Sequence, residues 1–315
     1  MKNFAVLVSF VILILAGFFI WFTSSIAPKS PRENYKTFVV TPGSHLPDIS
    51  KKLQKEGFIK NSLAFQILAT TAGLAKKIQA GSFYLSSHLS ASEIAKELTK
   101  GTFDVWVTIP EGLRVEEIGQ ILNSKLGIAE SEFLKISKEG YMFPDTYLIQ
   151  KSATAADIAK IMRDNFEKRL SSDLEQILKT GGLEQTIILA SIVEREAKFD
   201  TDRPVVAGIL QKRLKAGVSL GADATVQYAT GYQESEQSWW KKTLTEADLE
   251  INSPYNTRKF AGLPPGPICN PGLSSIRAVS APKTSDFFYY LSDKDGKMHY
   301  AATLSEHIEN IRKYL

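Results

Sequence analysis

The chain has 315 residues, of which 43% are hydrophobic and 23% are charged, and its formal net charge at pH 7 is +4. This length is enough for two or three domains, and the composition is typical of folded proteins. The small net charge, without a long basic run, argues against a nucleic-acid-binding protein. Cys269 is the single cysteine, so an intrachain disulfide is excluded. Its place in a proline-rich loop, with no histidine shortly before it, disfavours a thiol nucleophile.

The N-terminal segment is an apolar run from Phe4 to Phe22, FAVLVSFVILILAGFFIWF, in which only Ser9 is polar. A helix rises about 1.5 Å per residue, so this run spans roughly the 30 Å hydrocarbon core of a bilayer. A cleaved signal peptide is the alternative, but its apolar region is usually shorter, and Pro28 follows the best cleavage site. We therefore expect an uncleaved transmembrane anchor over residues 1–23 and a polar linker over residues 24–36.

The charges that flank the span bear on its orientation. Lys2 carries the only side-chain charge before the span, and three basic residues follow it closely: Lys29, Arg32 and Lys36. Taken literally, the positive-inside rule would keep the rest of the chain in the cytoplasm. A long domain after an N-terminal span is, however, translocated largely regardless of flanking charge. We expect a single-pass protein of the cell (inner) membrane with its C-terminal bulk on the extracytoplasmic side.

After the linker, one unit of sequence occurs twice. FVVTPGSHLPDISKKL (Phe38 to Leu53) is similar to VTIPEGLRVEEIGQIL (Val107 to Leu122). Each copy predicts a strand, a Pro-Gly turn and an amphipathic helix, although chance similarity is the alternative. A third piece, LSASEIAKELTKG, offers Ser90 or Ser92 as a helix cap. These short elements predict a small α+β module over residues 37–103.

From about Asp104 the predicted elements lengthen, which indicates a larger mixed α/β domain over residues 104–315. Helices are predicted at 114–125, 154–170, 173–179, 185–197, 204–215 and 304–314. The segment FFYYLSDKDGKMHYAA predicts a hairpin. Ser253 to Gly272, SPYNTRKFAGLPPGPICNPG, is an irregular segment with five prolines. Long loops in compact domains are usually functional or disordered. We expect an ordered binding loop, because its side chains can both pack and bind.

A largely apolar helix, TIILASIVEREAKF, ends in two carboxylates, Glu194 and Glu196. One face of this helix carries residues at spacings of three and four: Leu189, Ile192, Val193 and Glu196. Partial burial where the helix leaves the core can raise the pKa of Glu196 and keep a proton available near neutral pH. Glu194 lies roughly 200° around the helix from Glu196 and points elsewhere. The alternative is that both are solvated charges at a helix end.

A polysaccharide cleft needs a proton donor, surrounded by polar groups and aromatic faces that hold the sugar rings. Glu196 is the candidate donor. Candidate substrate-binding residues lie in GADATVQY and in the long loop: Asp223, Thr225, Gln227, Tyr255, Asn256 and Thr257. An ordinary glycosidase uses two carboxylates, and Asp223 is a possible second one. The four histidines lack ligand spacing, so neither a metal nor a cofactor is predicted.

Several motifs together resemble the endolytic murein transglycosylases, the MltG or YceG-like family. These motifs are ILASIVEREA (188–197), DATVQYA (223–229), the loop at 253–272, EGYMFPDTY (139–147) and SEHIENI near the end. Their order and spacing match over about 100–315, and 37–100 resembles the LysM-like module of that family. One departure is Asp223-Ala224-Thr225, where the family usually has Asp-Pro-Thr, and it bears on the rigidity of this segment.

The resemblance implies a lyase that cuts the MurNAc-GlcNAc bond of nascent peptidoglycan without water. The products would carry 1,6-anhydro-MurNAc ends, and the cut would terminate glycan elongation. The resemblance implies that one glutamate acts first as acid and then as base; Glu196 takes this role, and Glu194 is the runner-up. The implied partners are peptidoglycan glycan strands, the cell membrane and peptidoglycan synthases.

Three other interpretations stay open. The first is a non-catalytic, peptidoglycan-binding scaffold in which the LysM-like module is the working part. The second is a true hydrolase in which Asp223 positions water, and its products would lack the anhydro end. The third is a small-molecule lyase, and the predicted anchor and extracytoplasmic location argue against a cytosolic metabolite as substrate.

Overall fold

The computed structural model of the protein describes residues 2–101, 104–179 and 181–315. Met1, where the predicted anchor begins, and Phe103, where the predicted LysM-like module ends, lie outside the described residues. The chain divides into two compact units. The first unit comprises Met1–Trp106 and Tyr147–Ser152, and the second comprises Val107–Thr146 and Ala153–Leu315. The described strands pair as three two-stranded sheets: β1 (Tyr35–Val40) with β2 (Gly81–Ser86), β3 (Asp104–Thr108) with β4 (Thr146–Gln150), and β5 (Tyr289–Ser292) with β6 (Met298–Ala301).

The first helix, α1 (Lys2–Ile26), carries the apolar N-terminal sequence. Within it, Val8–Ile26 is a 19-residue segment with a mean hydropathy of 2.1, and none of it is buried against protein. By length and composition this segment can cross a membrane. The helix continues beyond residue 23, where the sequence predicts that the anchor ends. Within the described part of the chain, one helix therefore fits the predicted membrane anchor.

The first unit continues with a strand, two helices, a second strand and a short helix. They are β1 (Tyr35–Val40), α2 (Leu46–Lys55), α3 (Ser62–Thr71), β2 (Gly81–Ser86) and α4 (Ala91–Glu97). The strands are antiparallel, with Tyr35 opposite Ser86 and Val40 opposite Gly81. The core contains buried apolar side chains from every one of these elements: Phe38, Leu53, Phe65, Leu85 and Ile94. This is an α+β module, as predicted, and its LysM-like character stays a prediction.

The strand-turn-helix pattern predicted twice in the sequence is present in both places. Gly43 follows β1 with a φ of +79°, and Gly112 follows β3 with a φ of +77°. Glycine suits both turns because it adopts positive φ without steric cost. Ser90 is the residue that caps α4, since its hydroxyl accepts from the Glu93 N–H and its own N–H donates to the Glu93 carboxylate.

The rest of the chain is mostly helical. Its elements begin with the strands β3 (Asp104–Thr108) and β4 (Thr146–Gln150) and the helices α5 (Val115–Leu126), α6 (Glu130–Ile136), α7 (Ala155–Leu170), α8 (Leu174–Lys179), α9 (Leu183–Glu196) and α10 (Arg203–Lys215). They continue with α11 (Asp223–Thr230), α12 (Glu246–Leu249), α13 (Leu273–Ser280), β5 (Tyr289–Ser292), β6 (Met298–Ala301) and α14 (Leu304–Tyr314). All six helices predicted for this part of the sequence are confirmed, with ends within two residues. The short helices α6, α11, α12 and α13 were not predicted.

Helix α9 forms the centre of the second unit. All residues from Thr186 to Val193 are buried, and the helix packs against α8, α10, α11 and α13. A helix that is apolar on every side belongs inside the core. Its last turn emerges from this core, and this turn carries the two glutamates. The predicted hairpin is also confirmed, since β5 and β6 are antiparallel with Tyr290 opposite Tyr300.

Candidate active site

The C-terminal turn of α9 opens into a cavity of about 620 Å³ in the second unit. The end of α9, the first turns of α11, strand β5 and helix α14 form its walls. The residues that line it include Arg195, Glu196, Asp223, Ala224, Gln227, Arg258 and Tyr290. This volume lies within the range of roughly 300–1,000 Å³ that small-molecule sites occupy. The cavity can therefore hold sugar residues of a longer polymer.

Glu196, the last residue of α9, faces this cavity. The Ala224 N–H donates to its Oε1 at 3.5 Å, and the Tyr290 hydroxyl donates to its carboxylate. Burial raises the pKa of Glu196 to about 7, and the negative charge of Asp223 adds to this shift. The two hydrogen bonds and the Arg258 charge oppose it. A carboxyl group with a pKa near 7 can donate a proton and take one back at neutral pH.

Asp223 and Arg258 form an ion pair on the cavity wall. Arg258 Nε and Nη2 lie 2.6 and 2.5 Å from the same oxygen, Oδ1 of Asp223. Both side chains are exposed, so the pair adds little to stability. Its importance is electrostatic, because Asp223 raises the pKa of Glu196 and Arg258 lowers it.

Two of the six predicted substrate-binding residues, Asp223 and Gln227, line the cavity. The Gln227 side-chain amide donates to the Lys241 carbonyl at 2.7 Å, which fixes its orientation. Both residues lie on the same face of α11, because they are four residues apart. Their predicted contact with substrate stays a prediction, and their location is compatible with it.

Thr225, Asn256 and Thr257 occupy different surroundings from those predicted. All three are buried, at no more than 1% exposure, and none lines the cavity. The Thr225 and Thr257 hydroxyls are 2.9 Å apart, and the Asn256 amide donates to two backbone carbonyls at 2.8 and 3.0 Å. A buried, fully bonded polar group cannot reach a ligand without rearrangement. Thr225 and Thr257 instead join the loop at 253–272 to α11, and Asn256 joins it to the end of α12 and the residue Ile251, which agrees with the prediction of an ordered loop.

Tyr255 also lies away from the cavity lining. Its ring packs against Tyr228 with 4.7 Å between centroids, and both rings adjoin the core of the second unit. Burial raises the pKa of the Tyr255 hydroxyl. The loop contributes Arg258 to the cavity instead of the predicted Tyr255, Asn256 and Thr257.

Glu194 points away from the cavity, as its helical position predicts. Its side chain is 6% exposed, and Oε1 lies 2.8 Å from Nη2 of Arg203. Its Oε2 accepts from the Ser275 hydroxyl at 2.8 Å and the Gly272 N–H at 3.0 Å, at the start of α13. The alternative of two solvated charges is therefore wrong. Glu194 joins α9 to α10 and α13, whereas Glu196 faces the cavity.

Glu139 is a further buried acid, and it does not line the cavity. Burial raises its pKa to about 8, while the Val115 N–H and the Asn270 side-chain amide donate to it at 3.3 and 2.7 Å. It fastens α5 to the long loop. The Cys269 thiol is buried as well and donates to the Ser191 carbonyl at 3.3 Å. Burial raises its pKa, which disfavours a thiolate nucleophile.

Three residues that the sequence did not single out also line the cavity: Tyr290, Arg195 and Arg258. Tyr290 lies in the predicted hairpin, and Arg258 in the predicted binding loop. Arg195 directly precedes the candidate donor. Each was therefore within a recognised segment, but which side chains face the cavity depends on contacts between segments that are far apart in the chain.

Comparisons with known proteins agree with one another. The model of the YceG-like family matches residues 38–313. An endolytic murein transglycosylase of Bacillus subtilis (strain 168) is 30% identical over 339 residues, covering 96% of this chain and 91% of that protein. The endolytic murein transglycosylase of Streptococcus pneumoniae serotype 2 (strain D39 / NCTC 7466) is 28% identical; the match covers 90% of this chain but 59% of that longer protein. The crystal structure of a yceG-like protein from Listeria monocytogenes has a TM-score of 0.62 and 28% identity, covering 87% of this chain and 98% of that one.

Proposed function

Because the chain belongs to the YceG-like family, we propose that it cuts peptidoglycan strands internally by a non-hydrolytic reaction. Its curated relatives in B. subtilis and S. pneumoniae are endolytic murein transglycosylases, and the chain is accordingly a peptidoglycan lytic transglycosylase, a lyase. In the proposed reaction the MurNAc-GlcNAc bond of a nascent strand is broken, and a 1,6-anhydro-MurNAc end remains. This cut terminates elongation of the strand.

The observation that supports this reaction is a single carboxyl group with a raised pKa in the cavity. Protonated Glu196 donates its proton to the glycosidic oxygen while the bond from that oxygen to C1 of MurNAc breaks. The resulting carboxylate takes the proton of the C6 hydroxyl while O6 bonds to C1. Glu196 ends protonated, and no water is consumed. One acid/base group therefore serves both steps.

The groups around Glu196 fit this cycle. The Tyr290 hydroxyl and the Ala224 N–H hold the carboxylate form in place by hydrogen bonds, and burial favours the protonated form. Ala224 can donate this hydrogen bond because it has an N–H, which proline lacks. The departure from the Asp-Pro-Thr pattern of the family thus adds a donor at the proposed acid/base.

In the hydrolase alternative, Asp223 positions the water molecule that reacts. The guanidinium of Arg258 contacts Oδ1 of Asp223 through both Nε and Nη2, so this oxygen is already occupied and less available to hold a water molecule. A non-catalytic scaffold has no need of a proton donor, so it does not account for the raised pKa of Glu196. We therefore favour the lyase.

The apolar segment Val8–Ile26 supports a membrane location. We propose that it anchors the chain in the cell membrane, with the residues that follow it on the extracytoplasmic side where the polymer is made. Peptidoglycan synthases are the proposed protein partners, because they release nascent strands at the same surface. Residues 37–103 are proposed to act as a LysM-like module.

Mass spectrometry of digested strands tests the reaction. Purified full-length protein in detergent is incubated with uncross-linked peptidoglycan strands in ¹⁸O-labelled water. We expect internal cuts with 1,6-anhydro ends that contain no ¹⁸O. Reducing ends that carry ¹⁸O would identify a hydrolase, and strand binding without any cut would identify a scaffold.

The pH dependence of cleavage gives a second prediction. Glu196 must start protonated, so cleavage should decline as pH rises through its pKa of about 7. Asp223→Asn removes a charge that raises this pKa and leaves the Arg258 charge that lowers it. The pKa of Glu196 should therefore fall, and the decline in cleavage at alkaline pH should move to lower pH. Initial rates between pH 5 and 9 measure this shift.

A matched control is Asp164→Asn, which removes an exposed, ion-paired aspartate from α7. Its profile should coincide with that of the wild type. If Asp223→Asn instead loses activity at every pH without a shift, Asp223 takes part directly in the reaction.

A further inference from the structure

Three arginines line the cavity, and two of them have protein partners. Arg213 donates to the Phe288 carbonyl at 2.7 Å and to the Leu220 carbonyl at 2.6 Å. Arg258 is paired with Asp223. Within residues 2–101, 104–179 and 181–315, the guanidinium of Arg195 has neither a hydrogen bond nor an ion pair. Arg195 therefore has donors left for a ligand.

The Arg195 side chain is nevertheless held in place. Its guanidinium carbon lies 3.7 Å from the ring centroid of Trp240, which is a close cation–π contact. The indole N–H of Trp240 donates to Glu117 at 3.0 Å, so the ring is itself fixed. On the Gly112 turn, a Cβ would lie 3.5 Å from Nη1 of Arg195. The guanidinium is thus oriented by packing while its N–H groups are unused.

A cation in the last turn of any helix is favourable, and this could by itself explain a basic residue at position 195. It does not explain the stacking on a fixed tryptophan or the location beside Glu196 in the cavity. A planar guanidinium with unused donors is suited to bind a carboxylate through two parallel hydrogen bonds. The neighbouring cavity acids do not fill this role, since Asp223 is paired with Arg258 and Glu196 accepts from the Ala224 N–H and the Tyr290 hydroxyl.

The glycan backbone of peptidoglycan is made of uncharged N-acetylated sugars, and its carboxylates lie on the peptides attached to MurNAc. We propose that Arg195 binds a carboxylate of the peptide next to the scissile bond, which makes the enzyme selective for strands that carry peptides with free carboxylates. This inference rests on the proposed function and names the part of the substrate that the same site recognises.

Two matched substrates test the inference: uncross-linked strands with free peptide carboxylates, and the same strands after chemical conversion of these carboxylates to amides. Full-length wild type should cleave the amidated strands with a kcat/KM about tenfold lower, which corresponds to about 1.4 kcal/mol. Arg195→Gln should lose about tenfold on the free-carboxylate strands and cleave both substrates equally. Arg163→Gln, which changes an exposed arginine on α7, should keep the wild-type preference.

The ratio between the two substrates separates this role from a structural one. If Arg195→Gln lowers kcat/KM by the same factor on both substrates, Arg195 supports the site and does not read a carboxylate. If the wild type cleaves both substrates equally, the inference is wrong while the proposed function stands. If the wild type cleaves neither substrate, the proposed function fails first, and the inference fails with it.

Discussion

Replacing Glu196 by glutamine should abolish cleavage of peptidoglycan strands and leave the fold intact. Glutamine has nearly the same volume, and its carbonyl oxygen can still accept from the Ala224 N–H. It cannot donate a proton to the glycosidic oxygen or take one from the C6 hydroxyl. General acid–base catalysis contributes about 10²–10⁴-fold, and this residue serves both steps, so we expect a loss of about 10³-fold or more. The rate of formation of anhydro ends, followed by mass spectrometry, measures it.

The control for this variant is Glu184→Gln, which changes an exposed glutamate in the first turn of the same helix. It should cleave at the wild-type rate. Circular dichroism should show equal melting temperatures for both variants and the wild type within a few degrees. Cleavage by Glu196→Gln at a rate comparable to the wild type would remove the assignment of Glu196 as acid and base.

Replacing Glu194 by glutamine should destabilise the fold and preserve the chemistry. The change leaves Arg203, whose side chain is 7% exposed, without its buried partner at 2.8 Å. Removing one partner of a buried ion pair costs about 3–5 kcal/mol. Asp200, 2.9 Å from Nη1 of Arg203, compensates in part, so we expect a loss of about 3 kcal/mol. Chemical denaturation of the purified protein measures the free energy of unfolding.

A double variant identifies the cause of this loss. Replacing a whole buried ion pair by apolar or neutral groups is often close to neutral, so Glu194→Gln with Arg203→Met should recover part of the stability. The single variant Glu194→Gln, assayed at a temperature where it is folded, should still form anhydro ends. A Glu194→Gln protein that has wild-type stability but no activity would transfer the catalytic role from Glu196 to Glu194.

The long helices could be predicted because each carries several turns of apolar periodicity and a recognisable start. Helix α7, for example, begins at the capping box of Thr154 and Asp157. Periodicity is a weak guide to short helices: α8, with six residues, was predicted, whereas α11 and α13, with eight residues each, were not. This limit affected the prediction of the residues that face the cavity. Without α11, the polar residues of GADATVQY could not be separated into those that face the cavity and those that face the core.

The two glutamates show what the sequence can resolve and what it cannot. Their separation by two residues predicts opposite faces of α9, and the structure agrees. The pattern could not reveal what each face meets, because the partners are distant in the chain. Ser275, which donates to Glu194, is 81 residues away, and Tyr290, which donates to Glu196, is further still. Such contacts depend on tertiary packing, which no local motif encodes.

The two sides of the cavity differ in how firmly they are built. One side is the end of α9, whose preceding residues from Thr186 to Val193 are all buried. The other side includes a hairpin with strands of four residues each and α14, which has no buried residue. Local opening requires little free energy where few apolar groups are buried, and close to the global value in a core helix. We therefore expect the cavity to open on one side: α14 can move away at little cost, while Glu196, at the end of the buried helix, stays in place.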